Sequence, residues 1–178
     1  MPGHVILSHG SKSGPDASKV SALTLVAESL GWSTSRPDYR KEDALGYVGA
    51  VPPRIERLVA AMQGASRPLV LAGSSMGAFV SGLASLRAPC DGLFLMALPV
   101  GVAGGPRTFD AAPRVPGMLV HGWRDELCPV EGALAFARER GMPALLLDDD
   151  HRLTRHVAVL ERQFEWFLQT LVAGPANT

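Results

Sequence analysis

Three residue types capable of acyl-transfer chemistry sit in this chain at positions where a fold can bring them together. Gly73-Ser74-Ser75-Met76-Gly77 is a G-x-S-x-G pentapeptide. Such a motif works as a sharp strand-to-helix turn that thrusts the serine Oγ out of a sheet. Its glycines keep the flanking turns free of clashes, and the helix N-terminus lends partial positive charge. Downstream, Leu119-Val120-His121-Gly122-Trp123-Arg124-Asp125 leaves a strand-like run and reaches an aspartate. Further on, Leu145-Leu146-Leu147 runs into Asp148-Asp149-Asp150-His151. A serine hydroxyl needs a base to take its proton, and the base needs an acid to fix its tautomer. Ser75, Asp125 and His151 supply nucleophile, acid and base in that chain order.

Each residue also has a plainer reading. A glycine-flanked turn occurs in nucleotide-binding and purely structural α/β domains, an aspartate ahead of a helix commonly caps it, and a loop histidine beside acids is often merely solvated. Asp149 and Asp150 are rival acids, or else a solvated charge run that raises the basicity of His151. His9 and His121 read as residues that shape the site, and His4 and His156 as surface or packing residues.

Other chemistries find little support. The histidines show neither H-x-x-x-H nor H-E-x-x-H spacing, so no metal site is expected. G-x-x-x-x-G-K-[ST] and a G-x-G-x-x-G after the first strand are both absent, so no cofactor is expected. Cys90 and Cys128 form no CxxC pair and read as reduced thiols. Lys+Arg and Asp+Glu both number 17, which disfavours nucleic acid and anionic membrane surfaces as partners. The chain enters a strand-like run at once and holds no apolar stretch of about 18 residues, so a cytoplasmic protein without signal or membrane span is expected. Oligomeric state is not legible.

The elements that must position these residues follow from the patterning. Hydrophobic residues make up 47% and charged residues 19% of the 178 residues, an aliphatic composition suited to a parallel sheet covered on both faces. Short apolar runs alternate with amphipathic segments. Strands are predicted at His4–Ser8, near Trp32–Arg36, and at Pro68–Ala72, Gly92–Leu98, Met118–His121 and Ala144–Leu147. Helices are predicted from Asp16, as N-cap, to Leu30, from Pro52-Pro53 onward, and over Ser75–Leu86, Val130–Arg140 and Thr154–Val172. Pro37–Pro53 and Pro99–Pro116 read as loops, and Gly174–Thr178 as a frayed tail. The expected architecture is one α/β domain over 1–178: a three-layer sandwich with a mostly parallel six-stranded sheet and helices on both faces. Ligands in such sheets bind beyond the carboxyl ends of the strands, where every candidate lies.

With its motifs in this order, the chain resembles the α/β-hydrolase superfamily, and within it the compact, lid-poor dienelactone-hydrolase-like group. The resemblance rests on Ser8-His9-Gly10, Gly73-Ser74-Ser75-Met76-Gly77, His121 through Pro129, and Asp150-His151, and it covers nearly the whole chain. It implies a Ser75–Asp125–His151 triad and an oxyanion hole made by the backbone N–H groups of Met76 and Ser11. Three features depart from the pattern. The usual amino-terminal antiparallel strand pair is missing, the Pro99–Pro116 connection is short, and serine stands where dienelactone hydrolases commonly carry cysteine. The expected activity is cofactor-independent cleavage of a small ester or thioester. Its alternatives are an acyltransferase and a catalytically idle binding module of the same fold.

Overall fold

The computed structural model describes residues 2–173; the predicted tail Gly174–Thr178 lies outside the described residues. The strands are β1 (His4–Ser8), β2 (Ser33–Ser35), β3 (Leu69–Ser74), β4 (Gly92–Met96), β5 (Gly117–Gly122) and β6 (Ala144–Leu147). The helices are α1 (Ser18–Ser29), α2 (Arg40–Asp43), α3 (Gly46–Gln63), α4 (Met76–Ser85), α5 (Val130–Arg140) and α6 (Val157–Ala173), the last preceded by a 3-10 turn at Thr154–His156. The sheet order is β2-β1-β3-β4-β5-β6, and every neighbouring pair is parallel. The sheet is thus wholly parallel, where mostly parallel was expected.

Period-two alternation divides the strand side chains between two cores. Ile6, Leu69, Leu71, Leu93, Leu95 and Leu119 face one layer with buried residues of α3, α4 and α5. Val5, Leu7, Val70, Phe94, Met96 and Val120 face the other with buried residues of α1 and α6. This places helices on both faces. Strands buried on both sides must be apolar along their length, as β4 and β3 up to Gly73 are.

Two predicted boundaries are corrected. Asp16 does not cap α1: the helix begins after a turn closed by the Ala17 amide on the Gly14 carbonyl (3.0 Å). Asp16 pairs instead with Arg36 at 3.4 Å. Pro52 and Pro53 do not open a helix either. They lie inside α3, and much of the predicted Pro37–Pro53 loop is helical. Proline inside a helix removes a hydrogen bond and crowds the preceding turn. Here burial of Ala50 and Val51 before the prolines and Ile55 and Leu58 after them holds the helix through that defect.

Candidate active site

Ser75 occupies the junction of β3 and α4 with φ 55 and ψ −122, a conformation that costs a side-chain-bearing residue about 1–3 kcal/mol. Its amide donates to the Met96 carbonyl (2.9 Å), and its own carbonyl accepts from Phe79 N–H (3.0 Å). The flanking glycines are sterically required. A Cβ on Gly73 would collide with the Gly77 backbone, and one on Gly77 with the Ser8 carbonyl.

The three candidate residues form one hydrogen-bonded chain. His151 Nε2 lies 3.0 Å from Ser75 Oγ, and His151 Nδ1 lies 2.8 Å from Asp125 Oδ2. An ionised carboxylate can only accept, so the proton of neutral His151 sits on Nδ1. Nε2 is then left as acceptor for the serine hydroxyl. Asp125 is fixed from every side. Its Oδ1 accepts from the amides of Leu127 (3.0 Å) and Cys128 (2.7 Å), and its Oδ2 lies 3.2 Å from His121 Nε2. Burial alone would raise the Asp125 carboxyl. Hydrogen bonds from His121, His151 and the Cys128 amide outweigh it and hold the group well below the usual carboxylate range.

Asp125 therefore does not cap α5, whose cap position is Pro129. His121 is wholly buried and shares its Nε2–H between Asp125 and the Cys128 carbonyl at 2.7 Å. Its Nδ1 has no partner among the described residues.

The acidic run is not uniformly solvated, which corrects the expectation for Asp149. That side chain is buried. It accepts from the amides of Asp150 (2.9 Å) and Arg155 (3.0 Å) and pairs with His156 Nδ1 at 2.9 Å. It shapes the loop that presents His151 and makes no hydrogen bond to that residue's ring. Asp150 is exposed and accepts from the Arg152 amide (2.8 Å), and exposed Asp148 pairs with Arg124. Neither rival acid bonds His151. His4 bonds Ser33 and Ser35 across the β1–β2 edge.

The turn after β1 brings Ser11 to the same place. Gly10 faces Ser74 and Ser75 closely enough that a Cβ there would touch both. Met76 opens α4, where a first-turn amide has no intrahelical acceptor. Neither its N–H nor that of Ser11 donates to another backbone carbonyl among the described residues. His9 is buried, its Nδ1 donating to the Gly10 carbonyl (2.7 Å) and its Nε2 accepting from Tyr39 N–H (3.0 Å). With both nitrogens occupied it shapes the turn.

Arg54, which the sequence reading passed over, is the anchor of that turn. Its guanidinium is 0% exposed. It donates to Asp43 (2.7 and 2.6 Å), to the His9 carbonyl (2.8 Å) and to the Gly10 carbonyl (3.2 Å). It also lies 4.5 Å from the centroid of the Tyr39 ring. No periodic signal marks such a residue; it shows only as an arginine in the buried stripe of α3, beside Ile55 and Leu58.

Ser75 and His151 open onto a cavity of about 780 Å³, also lined by Gly10, Ser11 and Met76, within the usual range for small-molecule sites. Tyr47, Val102, Leu127 and Lys19 form further parts of its wall. Ligand atoms of Asp125, Cys128 and His151 lie within 4.8 Å of one another, the one metal-sized group among the described residues. Burial, then the Asp125 charge, pushes the Cys128 thiol up to about 12, so at neutral pH it is a neutral thiol rather than a ready thiolate ligand.

No helix among the described residues is long and apolar enough to cross a membrane. No protein-family model and no curated protein matches the chain. Solved structures do. One protein from Xanthomonas campestris pv. campestris, assigned to the hydrolases of the alpha/beta superfamily, is 46% identical, with 94% of this chain and 98% of that one covered and a TM-score of 0.89. An α/β serine hydrolase without a lid, also from Xanthomonas campestris, is 18% identical over 98% of this chain and 84% of its own, at a TM-score of 0.68. Est1E from Butyrivibrio proteoclasticus is 19% identical over 96% and 88%, at 0.74. The last two speak to the fold alone. The first, nearly half identical from end to end and wrapped on the same parallel sheet, makes this chain a member of the α/β-hydrolase superfamily.

Proposed function

We propose that this hydrolase is a cofactor-independent serine hydrolase that cleaves a small ester or thioester through an acyl-enzyme on Ser75, and that residues 1–178 act as one catalytic domain. The observation that carries the reading is the unbroken chain Ser75 Oγ–His151 Nε2 (3.0 Å) and His151 Nδ1–Asp125 Oδ2 (2.8 Å) at the wall of an accessible cavity. In this scheme His151 takes the Ser75 proton as Oγ attacks the acyl carbon. Asp125 holds the Nδ1–H tautomer and stabilises the imidazolium that forms. The developing oxyanion is received by the N–H groups of Met76 and Ser11, each such donor contributing about 3–4 kcal/mol in the transition state. His151 then returns the proton to the leaving alcohol or thiol, and water repeats the sequence on the acyl-enzyme.

The test is fluorophosphonate labelling followed by peptide mass mapping. A single adduct on Ser75, with ester hydrolysis abolished in Ser75→Ala while the circular dichroism spectrum is kept, is the expected result. Full hydrolytic activity in Ser75→Ala would remove Ser75 from the mechanism. Retained labelling of Ser75 without turnover of any ester would return the acyltransferase reading.

A further inference from the structure

The charged side chains around the cavity are all of one sign. The protein as a whole is balanced, with Lys+Arg and Asp+Glu both 17. Yet the cavity wall includes Lys12, Lys19 and Arg152 and no aspartate or glutamate. The chain has three lysines, and two of them are here. Their places bind them to the reaction centre: Lys12 follows Ser11 directly, and Arg152 follows His151. Among the described residues none of the three forms an ion pair. Arg36, Arg54, Arg57, Arg67, Arg87, Arg124 and Arg140, by contrast, are each paired with a carboxylate.

Lys19 is the most constrained of the three. Its Nζ donates to the Arg152 carbonyl at 2.6 Å, which ties α1 to the His151 loop and leaves two N–H bonds without an acceptor among the described residues. Lys12 has φ 55 and carries its Nζ 5.3 Å from the centroid of the Tyr47 ring. Carboxylates do lie near Lys19, but Asp125 and Asp149 stand behind the wall, bonded to His151 and His156. Asp150 accepts from the Arg152 amide. Burial outweighs the pull of these three and brings the Lys19 ammonium down to about 8, with Arg152 adding its repulsion. A partly buried cation short of counter-charge, in a concave site, favours an anion there.

We propose that the substrate carries an anionic group, a carboxylate or a phosphoryl, that docks on Lys19 and Arg152 with Lys12 at the mouth while its ester or thioester carbonyl meets Ser75. This rests on the serine-hydrolase reading and adds the substrate's charge class to it.

A pair of esters that differ only in charge decides the matter: mono-p-nitrophenyl adipate, an anion, and its methyl ester, which is neutral. The expected result is kcat/KM at least tenfold higher for the anion, expressed in KM, and shrinking at 0.5 M NaCl as screening shortens to a few ångströms. In Lys19→Gln/Arg152→Gln the anion-to-neutral ratio falls to about one, and Lys19→Arg keeps most of it. The p-nitrophenyl ester of 5-phosphonopentanoate separates the two sources: the better of it and the adipate names the preferred head group.

A wild-type ratio at or below one overturns the proposal. So does a ratio that the double variant leaves unchanged while both rates fall, since Lys19 would then act only as a tie on the His151 loop. If neither ester is cleaved and Ser75 takes no fluorophosphonate, the hydrolase mechanism fails by itself. Calorimetric titration with monomethyl adipate against dimethyl adipate still decides the anion site, which requires binding of the first that is lost in Lys19→Gln/Arg152→Gln.

Discussion

Arg54→Met tests whether the turn beside Ser75 is held by a buried cation. Arg54 is 0% exposed and its partner Asp43 12%, so removing the guanidinium leaves a carboxylate nearly dry and the His9 carbonyl without its donor, while the Gly10 carbonyl keeps only the bond from His9 Nδ1. Breaking a buried pair by removing one partner costs about 3–5 kcal/mol. Asp43 keeps some access to water, which favours the lower end, about 3 kcal/mol. In a domain of this size each kcal/mol moves Tm by about 2–4 °C, so a fall of about 6–12 °C is expected in a calorimetric scan at pH 7. Arg54→Met/Asp43→Leu, which removes both charges, should recover more than half of it. Assayed at 15 °C, where Arg54→Met is still folded, kcat for a neutral ester should drop at least tenfold, because the turn that presents the Ser11 amide has lost its anchor. A shift under about 2 °C, a double variant no better than the single one, or an unchanged kcat would refute this account.

Asp125→Asn is expected to lower kcat by about 10³–10⁴, because an amide in its place no longer fixes the Nδ1–H tautomer, whereas Asp150→Asn should cost less than fivefold in the same assay. Asp149→Asn should lower stability to urea by about 2 kcal/mol, since it weakens hydrogen bonds of a buried carboxylate. Folding holds the Asp125 and Asp149 carboxyls below their ordinary value of 3.8, so the stability they confer is full above that value and is lost as pH falls beneath it. Urea titrations from pH 7 to 3 should therefore show an acid decline that is shallower in Asp149→Asn. Across neutral p-nitrophenyl esters from acetyl to dodecanoyl, kcat/KM should stay flat or fall. The cavity rim at Tyr47 and Leu127 is 51% and 76% exposed, and a tenfold rise for every two carbons, the mark of about 0.8 kcal/mol per buried methylene, would contradict an open site.

The sequence carried the sheet and the turn at Ser75 because both are written in local patterns. β3 opens with the continuous apolar run Leu69–Ala72, and Gly73 and Gly77 leave room that no side chain would fit. Asp125 and His151 were legible through chain order, each falling just past a strand. What escaped depends on distant pairings. Asp149 looks like one of three solvated acids until His156 and the Arg155 amide close over it. Arg54 breaks the apolar stripe of its helix and makes sense only once Asp43, His9 and Gly10 surround it. Pro52-Pro53 gives a true local signal, a helix start, that tertiary burial overrides. The single-sign cavity wall joins residues from position 12 to position 152, a distance no window along the chain can span.

A serine at φ 55 persists only where its surroundings leave it no other state, and here they are unusually complete. All six residues of β3 and all ten of α4 are buried, Gly77 rests against the Ser8 carbonyl, and Gly10 closes on Ser74 and Ser75 from the side. Relaxing the elbow would pull α4 off the sheet, which costs far more than the strain it would release. The same packing fixes the Met76 amide at the helix start, so the Ser75 hydroxyl and the Met76 amide share one rigid joint. Lys12, Tyr47, Leu127 and Arg152 also line the cavity and are all well exposed. Substitution there can retune which substrate is accepted without touching the bonds that hold Ser75, His151 and Asp125 in line. In the proposed mechanism the buried frame thus sets the chemistry, and residues the frame does not need set the choice of substrate.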